Sequence, residues 1–376
     1  MAAKPNLLTF VESQSSVAEA RTQPEAASYT ISVASTLPEF CSLAHEWELL
    51  NAASAATGIF NTWMWQFAWW DEHRAKRALK IVVARRRGVA TGIVPLYLES
   101  ARKSGLRVRA LRLLGTSGEK NPYDIEPLIE RDSGVATARA LAAALLGMEG
   151  HDVLQLADVA EKNPLVLELP AAAEAAGWRC EVQRSRRFVD LALPRSWNAY
   201  LEGLSSPQRA RVRHRRHALV QAHPSRFVDW HAGRSVEAML EALSALRARR
   251  GAGPAAMPAM LPRSALAEAA RENRLRICSL EIGGRVAAIA CAMRLRDRLV
   301  VIESDFDPQY APWHPVSVLL QYTIERAIGE GLTGLHFLRG QQDFDDELFP
   351  GESRLRITAF RSAVTGAAFR AENAAR

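Results

Sequence analysis

Residues 299–307 read LVVIESDFD, and Glu303 and Asp305 stand two apart in a run whose β-branched residues suit a strand. A period of two puts Val301, Glu303 and Asp305 on one face and Val300, Ile302, Ser304 and Phe306 on the other. The two carboxylates would then lie roughly 6.5–7 Å apart. Neighbouring like charges raise one carboxyl toward the range in which it can take a proton from an attacking amine or hydroxyl. Glu303 and Asp305 are therefore catalytic candidates. The plain alternatives are a wet cleft without catalysis, or an acid paired with an arginine. The stretch GLHFLRGQQDFDDELF, residues 334–349, adds Arg339 and Asp343. Arg339 follows an apolar run; it can pair with Asp305 or Asp343, or hold a carboxylate or phosphate in a bidentate fork.

A second kind of chemistry is offered by PVSVLLQYTIERAIGEG, an amphipathic helical pattern that ends at Gly331. Pro315 suits the first helical position, where its missing N–H costs little. The amides of Val316, Ser317 and Val318 would form an anion site at the positive end of the helix. The alternative is an ordinary core helix started by proline. Trp313, His314 and His336 are candidate substrate contacts. Histidine titrates near neutrality, so either His is a possible base or a polar filler. RARVRHRRH, residues 209–217, is the most basic stretch. Arg209, Arg213 and Arg216 share one helical face, and Arg211 and Arg215 another. No aromatic interleaves with them to stack on bases, so a solvated helix or a clamp on an anionic ligand is preferred to a nucleic-acid surface.

The elements that must position these residues follow from periodicity. Tyr29–Ser35 alternates like a strand, and Pro38–Ala53 is helical. Trp63, Phe67 and Trp70 share a helical face, as do Trp65 and Trp69, a pattern that builds core. Residues 79–100 form two strands around Arg87-Gly88, and 106–116 another. A loop at Asn121-Pro122-Tyr123-Asp124 precedes a helix over 134–147, a strand at 152–159, a helix over 164–176 and strands over 178–193. Helices are expected at 196–222, 235–250 and 263–273. Then come LRICSLEIG and RVAAIACAMRLRD around Gly283-Gly284, the Glu303 strand, the Pro315 helix, LTGLHFLRG and a last strand, RLRITAFRSAV. Element order thus repeats about once per 170–180 residues, the size of one domain.

Of the 376 residues, 48 are Lys or Arg and 41 are Asp or Glu, a net charge of +7 that weakly favours anionic ligands. The four cysteines lie far apart without metal or redox spacing and read as buried free thiols in a reducing compartment; no metal is expected. The first 28 residues lack the apolar core of a signal peptide, and nothing approaches a membrane span. The expectation is a cytoplasmic protein with a disordered tail over 1–28, one domain over 29–190 and a second over 191–376.

Strand hairpin, third strand, helix and fourth strand resembles the acyl-CoA-binding half of a GNAT acetyltransferase. The order of IFNTWMWQFAWW, Ile93-Val94-Pro95-Leu96, Asn121-Pro122-Tyr123-Asp124, RARVRHRRHAL, FDPQYAPWHPVSVLL and LHFLRG resembles the CelD-like branch, whose members carry two GNAT-type domains, as Fem-type aminoacyltransferases do. The resemblance spans about residues 35–365. The implied fold is α/β (α+β): two tandem GNAT-like domains, each a mixed twisted sheet flanked by helices. The implied activity is acyl transfer, acetyl above all, from acetyl-CoA or another acyl-CoA to an amine or hydroxyl of a sugar or small metabolite. A link to exopolysaccharide synthesis follows by analogy. The diphosphate would lie at the Pro315 helix, and Tyr310 or Tyr322 would protonate the leaving thiolate. This chain has His314-Pro315-Val316 where the family has Ser-Pro-Gly, and His336 where it has Asp. Gln341, Gln342, Phe344 and Asp345 replace the acidic and Tyr-Lys positions. A non-catalytic binding relative and a Fem-like enzyme using charged tRNA are the other readings.

Overall fold

The computed structural model describes residues 29–54, 56, 58–103, 105–116, 124–230, 236–251, 262–337 and 352–373. Arg339, Asp343 and Asn121-Pro122-Tyr123 lie outside them. The N-terminal half runs β1 (Tyr29–Ala34), α1 (Leu37–Ser42), α2 (Ala44–Ala53), α3 (Trp63–His73), β2 (Arg77–Arg86), β3 (Val89–Lys103), β4 (Leu106–Leu113), β5 (Leu128–Ile129), α4 (Gly134–Gly147), β6 (Val153–Ala160), α5 (Pro164–Ala175) and β7 (Arg179–Ala192). The rest runs α6 (Trp197–Gly203), α7 (Ser206–Ala222), β8 (Ser225–Asp229), α8 (Val236–Arg249), α9 (Arg263–Arg271), β9 (Leu275–Ile282), β10 (Arg285–Leu295), β11 (Arg298–Phe306), α10 (Pro315–Gly329), β12 (Gly334–Phe337), β13 (Glu352–Phe360) and α11 (Ala363–Asn373).

Both hairpins turn as their glycines require. Arg87 and Gly88 have φ of 52° and 83°, and Gly283 and Gly284 have 57° and 74°. Two consecutive positive φ values give the turn whose twist matches the strands it joins. Each half then repeats one plan. Antiparallel strands lead to a parallel pair, β4 with β6 or β11 with β12, joined by a crossover helix, α4 or α10. This is the tandem GNAT-like α/β architecture.

The strand order is β1-β2-β3-β4-β6-β13-β7-β12-β11-β10-β9-β8, with β5 paired to β3. Two features depart from the sequence expectation. The stretch expected to hold several strands is one continuous strand, β7. Its first part pairs with β13, and Val189–Ala192 pair with β12. The division expected between residues 190 and 191 falls inside it. The late strand β13 lies between β6 and β7, in the sheet of the N-terminal half. Expected to run through Val364, it stops at Phe360; α11 follows and packs Phe369 on Phe360, ring centroids 5.8 Å apart. The edge strand β8 went unforeseen.

The aromatic stripe does build core: Trp65, Trp69 and Trp70 are buried, and the half-buried Trp63 and Phe67 pack against the core. Cys278 and Cys291 are buried as expected, but Cys41 is exposed and Cys180 half-buried. Around β11, α8 covers one sheet face and α10 the other. Val300 and Ile302 join the core with Met239, Leu243 and Leu246 of α8, whereas Leu299 and Val301 join Val318 and Leu319 of α10.

Candidate functional site

A β-bulge decides where the predicted carboxylates point. Cys291 pairs with Glu303 and Ala292 with Val301, which leaves Ile302 as the extra residue. The bulge resets the alternation. Val301 faces α10, while Glu303 and Asp305 face α8, so Val301 does not share their side as strict alternation predicts. Arg247 Nη2 donates to Glu303 Oε1 at 2.6 Å and Arg247 Nε to Asp305 Oδ2 at 3.1 Å; Arg250 Nη1 donates to Asp305 Oδ1 at 2.8 Å. Arg249 pairs with Asp307 alongside. The arginine-paired alternative thus describes both acids. Burial, partly offset by Arg247, still pushes Glu303 up to about 7.

The N-terminus of α10 keeps part of its expected anion site. His314, the N-cap, is left-handed at φ 47° and exposed, and offers no side-chain cap. Val318 N–H already donates to the His314 carbonyl at 3.1 Å, so it drops from the expected set. Val316 and Ser317 precede that first helical bond, and their amides are the ones left over. Arg215 of α7 donates to Ser317 Oγ at 3.0 Å. A guanidinium at the positive end of a helix is unfavourable alone and suits a site that also receives an anion. One turn on, Gln321 is 1% exposed with neither amide atom hydrogen-bonded, and Ser304 Oγ on the facing strand is likewise buried and unbonded. Trp313 is half-buried and meets His223 edge-on at 4.3 Å. Among the other α7 arginines, Arg209 binds the Leu201 and Leu204 carbonyls. Arg216 pairs with Glu325 at 2.9 Å and lies 4.0 Å over Tyr322. Arg213, His214 and His217 are exposed.

A cavity of about 470 Å³ lies between the two halves, walled by the loops before α3, β5 and α5 and by Leu295, Arg298, Val300, His336 and Arg354. That volume suits a small polar molecule. Its charged wall comes from far-separated parts of the chain. Asp124 (φ 53°) and Glu126 precede β5, His336 lies on β12 and Arg354 on β13. Arg354 Nη2 lies 2.9 Å and 3.0 Å from the two Asp124 oxygens, and its Nη1 2.7 Å from Glu126 Oε1. His336 Nε2 is 3.3 Å from Asp124 Oδ2 and Nδ1 3.9 Å from Asp190 Oδ1. Asn163 Nδ2 donates to Glu126 Oε2 at 3.0 Å, and the Ala160 amide to Oε1 at 3.2 Å. Burial, reinforced by the Asp124 charge, pushes Glu126 up to about 7. Burial also opposes ionisation of Asp124, but His336 and Arg354 outweigh it and hold Asp124 below the usual carboxylate range.

Among the described residues, His336 is therefore the one predicted site residue that lines the cavity. Trp313, His314, Val316 and Ser317 gather at the start of α10; Glu303 and Asp305 sit under α8. Glu126, Asn163 and Arg354 were missed, and only Asp124 carried a local signal, its place in a turn-forming stretch.

The comparisons with known proteins bear on the domain and the fold. A family model described as an acetyltransferase (GNAT) domain matches residues 206–346, so that stretch carries a GNAT domain. No curated protein matches the chain. FemX, a solved structure, is similar at 9% identity and TM-score 0.54, over 84% of this chain and 95% of that one. A conserved protein of unknown function from Bacteroides thetaiotaomicron VPI-5482 is similar at 12% identity and TM-score 0.52, over 88% of this chain and 100% of that one. At such identities the likeness is one of fold.

Proposed function

We propose that this chain, with its GNAT domain over residues 206–346, transfers an acyl group, acetyl in the first instance, from acyl-CoA to an amine or hydroxyl of a small polar acceptor such as a sugar. The observation that carries the reading is the position of the cavity. It reaches the sheet at Val300 and His336, a paired position of the parallel strands β11 and β12. Among the described residues the pairing continues to Val301 and Phe337, next to the Ile302 bulge. Leu335 and Phe337 pack toward α10, so His336 faces the opposite side of the sheet. A donor held on the α10 side and an acceptor held in the cavity would meet at this part of the sheet, beside the bulge.

The residues around the start of α10 fit a donor of this kind. The Val316 and Ser317 amides and Arg215 suit a diphosphate. The unbonded Ser304 hydroxyl and Gln321 amide suit the polar groups of an amide-bearing arm, since buried polar groups without partners are costly. A thioester supplies an activated carbonyl; the chain contributes its orientation and the removal of a proton. The test is calorimetric titration with acetyl-CoA. Saturable binding is expected, and Ser317→Glu should weaken it by about tenfold or more through repulsion of the phosphates. No saturable binding by the wild-type chain would sink the reading.

A further inference from the structure

We infer that His336, held by Asp124, is the catalytic residue that takes the proton from the acceptor, and that Arg354, brought in by β13, is the positioning residue that fixes Asp124. The inference rests on the acyltransfer reading and adds to it the identity of the base.

Three observations support the assignment. First, His336 lines the cavity from β12, opposite Val300 and close to the Ile302 bulge of β11. A thioester carbonyl held beside the Ile302 bulge would lie two residues along β11 from Val300, roughly 7 Å away, a gap that one acceptor atom and an imidazole can span. Second, the ring is oriented. The imidazole lies between two carboxylates, with Asp124 Oδ2 at ion-pair distance, 3.3 Å, from Nε2 and Asp190 Oδ1 3.9 Å from Nδ1. Arg354 Nη2 donates to Asp124 Oδ2 at 3.0 Å and lies 2.9 Å from Oδ1, and Asp124 has a left-handed backbone conformation that non-glycine residues seldom adopt. A base oriented by a third group is the general arrangement for proton abstraction. Third, the competing carboxylates are spoken for. Glu303 and Asp305 are tied to Arg247 and Arg250 and do not line the cavity. Glu126, Glu130 and Asp190 do line it, but Arg354, Asn163 and the Ala160 amide donate to Glu126, Ser133 Oγ donates to Glu130, and Arg298 pairs with Asp190.

The step balances. The acceptor's lone pair forms a bond to the thioester carbonyl carbon while its N–H or O–H proton passes to His336. The C–S bond then breaks, the electron pair leaves with sulfur, and the imidazolium returns the proton to the thiolate. The products are acylated acceptor, free thiol and neutral His336.

The test uses the full chain, acetyl-CoA as donor, and water, glucose or glucosamine as acceptor, with thiol release followed against pH. His336→Ala should lower release by about 100-fold or more, and Asp124→Asn by about tenfold or more. Calorimetric affinity of both variants for acetyl-CoA should stay within about threefold of wild type, a change worth well under 1 kcal/mol. Added imidazole should restore His336→Ala and leave Asp124→Asn unchanged, a result a merely structural role does not produce. Thermal melting separates folding failure from loss of chemistry, and His336→Gln serves where the alanine variant does not fold. Three outcomes overturn the assignment: both His336 variants retain the wild-type rate, the loss falls on Glu303→Gln instead, or wild type binds acetyl-CoA yet releases no thiol above the uncatalysed rate. Failure of wild type to bind acetyl-CoA removes the acyltransfer reading itself, and the base assignment with it.

Discussion

His151 makes acid destabilisation of this fold a quantitative matter. It precedes β6, is 1% exposed, and packs its ring against Trp178 with centroids 5.2 Å apart. Neither ring nitrogen has a hydrogen-bond partner among the described residues. Burial, assisted by the nearby Arg361 charge, lowers it from 6.5 to about 4. Neutral His151 thus contributes stability that is present above the unfolded value and is lost as pH falls toward the folded one. Protons bind the unfolded chain first, so that state gains as acid is added. With these two values the linkage relation gives a loss of about 2 kcal/mol between pH 7 and pH 5, approaching about 3 kcal/mol below pH 4. Other groups titrate in the same window, so the comparison must be with a variant that removes only this one. His151→Phe keeps a flat ring beside Trp178 and cannot titrate. Urea unfolding of both chains at pH 7 and pH 5 gives the difference directly. Wild type should lose about 2 kcal/mol more than the variant over that interval. Equal losses, within about 0.5 kcal/mol, would refute the argument that an unbonded imidazole is buried there.

The remaining expectations concern packing and the cavity wall. A Cβ on Gly92 would lie 2.6 Å from both Leu141 Cδ1 and Thr137 Cγ2, so Gly92→Ala should lower stability by about 1–3 kcal/mol, read from the urea midpoint. Arg354→Met leaves Asp124 and Glu126 without their shared cation and should cost about 3 kcal/mol or more at pH 8. Glu126 already sits at about 7, and the substitution moves it higher, so the neutral form relieves the fold as pH falls. The penalty should therefore shrink between pH 8 and pH 6; a constant penalty would show that Glu126 is not the group in question. Ser317→Glu and His336→Ala separate donor binding from proton transfer, the first raising the dissociation constant and the second lowering turnover.

Much of this fold is written in short-range pattern. The hairpins at Arg87-Gly88 and Gly283-Gly284, the helices of 134–147 and 315–329, and the buried tryptophans all follow from local spacing. The Ile302 bulge does not: no glycine or proline marks it, and it turns Glu303 and Asp305 away from the side that strict alternation assigns to Val301. The sheet partners of residues 352–360 are equally silent, because alternation specifies which faces are buried and not which strand lies alongside. For the same reason the cavity could not be assembled from sequence. Arg354 and Glu126 are 228 positions apart, and His336 was legible as a residue type without its Asp124 partner.

The placement of β13 has a consequence for the nascent chain. Until residues 352–360 have emerged from the ribosome, β6 and β7 have an empty slot between them one strand wide, with unpaired amides and carbonyls on both sides. The earlier half therefore cannot complete its sheet until residues 352–360 have followed it. Once seated, that strand stitches late sequence into early structure and brings Arg354 to Asp124, so assembly of the cavity wall and closure of the first sheet are the same event.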